Sequence, residues 1–148
     1  MNSNLRRVVL ALTVLIGAYV GIWGYVVPDA FYTSFPGFGL HWIDIDGPFN
    51  EHLIRDVGSL YIALGAGSLV AIFTRTAMPG RVMGVVWFVF GVLHFGYHVL
   101  HPEGTTLDVV GSIVSLGVSA LVGVVLMLPL EPHADRAGTS PSSAPGRA

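Results

Sequence analysis

Three histidines, His94, His98 and His101, stand at spacings of four and three in the stretch "VLHFGYHVLHPEG". On a helix, four residues turn the side chain by about 40° and seven by about −20°, so the three share one face. A second polar group occurs in "PFNEHLIRDVGSLY", where His52 and Asp56 are four apart and Ser59 continues the face. Glu51 and Arg55 are also four apart and can pair. Imidazole suits zinc, copper or iron, and a carboxylate balances the charge of a divalent ion. Helical donors at i and i+4 present two ligands to one metal. The pattern therefore predicts a divalent transition-metal site drawn from His52, Asp56, His94 and His98, with His101 as a further ligand or an orienter. Arg55 is then the group that grips an anionic or carbonyl oxygen. Asp108, at the start of the next hydrophobic segment, is the second candidate for a catalytic role. The chemistry expected of such a centre is metal-assisted oxidation or hydrolysis of a lipid-soluble substrate.

Other readings of the same residues remain open. They form a structural or lipid-binding polar network, a proton path or pH sensor, or the axial ligands of a b-type haem. Haem fits less well, because the cluster is shallow and rich in carboxylates. His41, beside Trp42 in a long loop, could close over the site.

The segments that must position these groups are strongly apolar. Of 148 residues, 53% are hydrophobic and only 11% charged, whereas an ordinary soluble domain is about one-quarter charged. Mean hydropathy is +0.70. Four runs, residues 8–27, 57–73, 82–99 and 109–130, lack Asp, Glu, Lys and Arg. Runs of this length match a hydrocarbon core about 30 Å thick, and backbone amides in lipid must be satisfied within helices. The fold expected is an all-α, integral membrane, antiparallel four-helix bundle. Its spans lie at about 7–27, 52–74, 81–100 and 107–129, with an outer loop at 28–50 and a disordered cytoplasmic tail at 131–148.

Charge sets the orientation. Arg6, Arg7, Arg75, Arg81, Arg136 and Arg147 fall on one side of the four spans. By the positive-inside rule that side is cytoplasmic, with both termini on it, in a bacterial inner membrane. The acids Asp29, Asp44, Asp46, Glu51, Asp56, Glu103 and Asp108 gather on the other side, with Arg55 as their only arginine. Residues 1–27 read as a first span rather than a cleaved signal, because the apolar run is long and no A-x-A-like site follows. The partners implied are the lipid bilayer, a lipid-soluble small molecule, and a homo-oligomer or larger membrane complex. No basic stripe suggests nucleic acid. The absence of cysteine excludes disulfide chemistry and Cys-ligated metal sites.

Local signals refine the boundaries. Asn50 suits the N-cap of the second span, and Thr105 or Thr106 that of the fourth. Pro102 and Gly104 stop the third. The loop at 28–50 is rich in aromatics, and loops of this length are often lids, binding elements or interfacial anchors. Small residues recur every four positions at Gly17 and Gly21, at Ser59, Ala63, Gly67 and Ala71, and at Gly111, Ser115, Ser119 and Gly123. Such rows predict faces where helices pack closely.

The stretch "PFNEHLIRDVGSLYIALG", with "HFGYHVLH" one span later, resembles a group of small four-span bacterial membrane proteins, loosely DoxX-like in architecture. The resemblance covers the four spans and centres on the motif from Asn50 to Asp56 and the histidines of the third span. It implies the four-span fold and names no reaction.

Overall fold

The computed structural model describes residues 2–129. The expected tail at 131–148 lies outside the described residues. Four helices are long and apolar enough to cross a membrane: α1 (Asn4–Val26), α3 (Glu51–Phe73), α4 (Met78–Leu100) and α5 (Thr106–Met127). At 1.5 Å per residue each is about 33–35 Å long. A short helix, α2 (Pro28–Ser34), and a two-stranded antiparallel ribbon, β1 (Pro36–Gly37) with β2 (Leu40–His41), occupy the segment between α1 and α3.

Local chemistry sets the ends. The Ser3 side chain accepts from the Arg6 amide and starts α1. Asn50 accepts from the Leu53 amide and starts α3. Thr105 and Asp108 cap α5 reciprocally, as a capping box. Gly104 precedes them at φ +92°, where an L side chain is strained.

The helices associate as two close pairs, α1 with α3 and α4 with α5. Lipid gives helices no hydrophobic reason to associate, so close approach relies on small residues. A Cβ on Gly17 would lie 2.7 Å from the Tyr61 carbonyl, and one on Gly58 would lie 2.6 Å from the Tyr25 amide. In the second pair, a Cβ on Gly123 would lie 2.5 Å from the Phe88 amide and one on Gly91 2.9 Å from Ala120 Cα. Only part of the α3 row expected at 59, 63, 67 and 71 packs closely: Ala71 is buried with Val9 and Leu10 of α1, and Gly67 lies against Met83 of α4. Ser59 and Ala63 are exposed, and the buried stripe runs through Ile54, Gly58, Tyr61, Gly65 and Ser68.

The two pairs meet at Trp87, which is 0% exposed and donates its indole N–H to Ser68 Oγ at 3.0 Å. The shared core adds Phe31, Ile54, Tyr61 and Leu64. At one end of the molecule, called here the turn end, residues near the N-terminus bind helix C-termini. Asn2 donates from its amide nitrogen to the Ala71 and Thr74 carbonyls. Arg6, also 0% exposed, donates to Leu126 O at 3.4 Å and Leu128 O at 2.7 Å. A cation suits that place, because the last carbonyls of α5 carry partial negative charge.

The opposite, loop end is closed by residues 27–50. Tyr19, Trp23, Phe31, Phe35 and Trp42 form a run of edge-on aromatic contacts that holds this segment to α1. Tyr32 donates to the Gly47 carbonyl at 2.6 Å.

Candidate functional site

The loop end contains a cavity of about 400 Å³. It lies between α3, α4 and the segment that links α1 to α3. Leu53, Ile54 and Val57 of α3 form one wall, and His94, Tyr97 and His98 of α4 face them. Phe31 and Tyr32 of α2 and Ile43, Asp46, Gly47, Pro48 and Asn50 of the loop complete the lining. The lining is therefore mostly apolar and aromatic, with Asp46, Asn50, His94 and His98 as its polar members.

The expected metal centre is not formed. Among the described residues, no group of three or more His, Cys, Asp or Glu is placed to hold a metal ion. The reason is helix phase. The side of α3 that meets the cavity passes through Leu53, Ile54 and Val57, and His52 and Asp56 are each one residue, about 100°, away from it. His52 Nε2 lies 3.3 Å from Asp56 Oδ2, but the two side chains are 88% and 62% exposed. They pair along the outside of their own helix. The metal roles assigned to His52, Asp56, His94, His98 and His101 are withdrawn, together with the metal-dependent chemistry that followed from them.

His94 and His98 of α4 line the cavity together, while His101 is the residue that caps the end of the helix, and each has its own surroundings. The His94 ring stacks on Phe90 with centroids 5.4 Å apart and an interplanar angle of 13°. His98 meets His94 edge-on at 5.0 Å. His101 stacks on Tyr97 at 4.5 Å, and its Nδ1 lies 3.0 Å from the Tyr97 carbonyl. Among the described residues, neither His94 nor His98 makes a hydrogen bond to the protein, although both line the cavity.

Arg55 and Asp108, the residues expected to act on substrate, have protein partners. Arg55 donates to Glu51 Oε1 at 2.8 Å and to the Tyr25 carbonyl, and its guanidinium lies 5.7 Å from the Tyr25 ring centre. It ties the start of α3 to the end of α1. Asp108 is buried and accepts from Thr105 Oγ1 at 2.5 Å, from the Thr105 amide at 3.1 Å and from the His41 amide at 3.2 Å. It fixes the loop to α5. His41 pairs with Asp44 at 3.1 Å instead of reaching the cavity.

Sequence reasoning missed Asp46, Asn50, Tyr97, Leu53 and Val57 as lining residues. A usable signal was present: the long loop between the first two spans supplies Asp46 and Asn50. Asp46 also borders a second, small recess with His98, His101, Glu103 and Asp108. Partial burial raises the Asp46 carboxyl pKa, charge interaction with His98 opposes this, Glu103 reinforces it, and His101 opposes it. No protein-family model, curated protein or solved structure matches the chain.

Proposed function

We propose that the protein is a small multi-pass membrane protein that binds a lipid-soluble amphiphile in the cavity between α3 and α4. The guest's apolar body lies against Leu53, Ile54 and Val57, and its hydrogen-bonding head meets His94 and His98. The observation that carries this reading is the cavity itself: about 400 Å³, largely apolar, and lined by two imidazoles that make no hydrogen bond among the described residues. Small-molecule sites are typically apolar clefts of about 300–1,000 Å³ with a few convergent polar groups. Ionisable residues within spans usually face such interiors and mark function.

The four long helices are read as an antiparallel bundle in a bacterial inner membrane, with both termini cytoplasmic. Arg6, Arg7, Arg75 and Arg81 at the turn end, against the acids of the loop end, support that orientation. The cavity then opens in the outer leaflet, where an amphiphile enters sideways from lipid.

The test is to purify the protein and Val57→Trp in a mild detergent and quantify co-extracted amphiphiles by mass spectrometry. The expected result is a defined amphiphile on the parent protein that falls at least about tenfold on Val57→Trp, with the helical signal unchanged. Equal recovery from both would refute the reading.

A second reading is favoured by the contacts of Arg55 and Asp108. In it, the loop end is a structural polar network within a non-catalytic membrane subunit. It accounts for those two residues and leaves His94 and His98 without a role.

A further inference from the structure

We infer that the amphiphile taken by this cavity carries a protonated amine head, an alkylammonium group; the inference rests on the cavity-binding reading above. Charge along the lining is the first argument. The acids of the loop end outnumber its one described arginine, and Arg55 is already paired with Glu51. Asp46, Asn50, His94 and His98 all line the cavity. A carboxylate can only accept, and a neutral imidazole offers one accepting nitrogen. An ammonium has three donors and no acceptor, so it complements Asp46 and the His98 ring together. A phosphate or carboxylate head would meet repulsion from Asp46 and from Glu103 nearby.

The aromatic lining is the second argument. Tyr32 and Tyr97 border the cavity beside the two imidazoles. Aromatic faces attract a cation within about 6 Å through the ring quadrupole. Tyr32 keeps its ring in place by donating to Gly47 O and by edge contact with Phe49 at 5.4 Å. An alkyl chain behind the ammonium runs over Leu53, Ile54 and Val57, so one molecule satisfies both halves of the lining.

The experiment compares three probes of equal chain length, dodecylammonium, dodecanol and dodecanoate, on full-length protein in dodecyl maltoside micelles. Binding is taken as the difference between the parent protein and Val57→Trp, which removes simple partition into the micelle. The ammonium is expected to bind roughly tenfold more tightly than the alcohol, and the carboxylate weakest of all. Asp46→Asn should erase the preference for ammonium over alcohol while alcohol binding persists. Tyr97→Leu, at an exposed position, should reduce it part-way and guards against a folding defect in the first variant. Equal cavity-dependent binding of ammonium and alcohol overturns this inference and leaves the cavity reading standing. Tighter binding of the carboxylate overturns it as well. If no probe distinguishes the parent from Val57→Trp, the cavity reading falls, and this inference with it.

Discussion

The two ends of the molecule treat polar side chains in opposite ways. At the turn end, Arg6 is wholly buried and reaches the carbonyls of Leu126 and Leu128, while Asn2 donates to Ala71 and Thr74. These groups satisfy orphan backbone acceptors at two helix C-termini, and their role is closure. At the loop end, Arg55 and Asp108 do similar work, but His94 and His98 face an open volume without a hydrogen bond to any described residue. A polar group inside a membrane helix is thus not by itself evidence of a site. A polar group that faces a cavity with its hydrogen-bonding capacity unused is.

That contrast grades the expected cost of substitution. Arg6→Ala leaves the Leu126 and Leu128 carbonyls without their donor and empties the space over Gly80. It should cost about 2–4 kcal/mol, read as a large fall in thermal midpoint in detergent. Asp108→Ala removes a capping box and the clamp on the His41 amide, and should cost about 1–2 kcal/mol by the same measurement. His94→Ala and His98→Ala break no protein hydrogen bond, so each should cost less than about 1 kcal/mol while weakening amphiphile binding. A destabilisation by His98→Ala as large as that of Arg6→Ala would erase the distinction between the ends. His52→Ala should change stability by no more than about 0.5 kcal/mol, because its pair with Asp56 is exposed.

Asp46 supplies a test by pH. Its carboxyl pKa is raised by burial, so the folded protein holds that proton more firmly than the unfolded chain. The stability that comes from this tighter proton binding is therefore fully present below the unfolded pKa. Ionisation of Asp46 lowers stability as pH rises from about 4 through the raised value. Asp46→Asn should remove this component and make the denaturation midpoint less dependent on pH across that window. An unchanged pH dependence would show that its surroundings do not perturb it.

Much of the scaffold was legible because it rests on composition and local chemistry. Charge-free runs mark the four long helices, and Asn50 and Thr105 mark two of their starts. Gly17 and Gly21 were legible as packing positions because they are the only close-approach residues at that spacing in the middle of α1. The site was harder to read for a definite reason. The His52–Asp56 pair and the His94–His98 pair each fix a stripe on their own helix, but nothing local fixes how two stripes are turned toward one another. On α3 the close packing of Gly58 against Tyr25 fixes that rotation, and it places half-buried Val57 and the more exposed Leu53 along the cavity while His52 and Asp56 pair on the outside of the helix. The structural role of Arg6 was not legible for a related reason. An arginine beside an apolar run normally marks topology, and its reach over Gly80 to α5 depends on a contact 120 residues away in sequence.

The central claim is that the volume between α3 and α4 at the loop end holds an amphiphile. Photolabelling in a bilayer with an alkyl amphiphile bearing a terminal diazirine, followed by peptide mapping, tests it most directly. The account predicts label concentrated on Leu53, Val57, His94 and Tyr97, and its loss from these positions in Val57→Trp. Label spread evenly over outward-facing residues such as Val85, Val89 and Leu93, and unaffected by Val57→Trp, would contradict it.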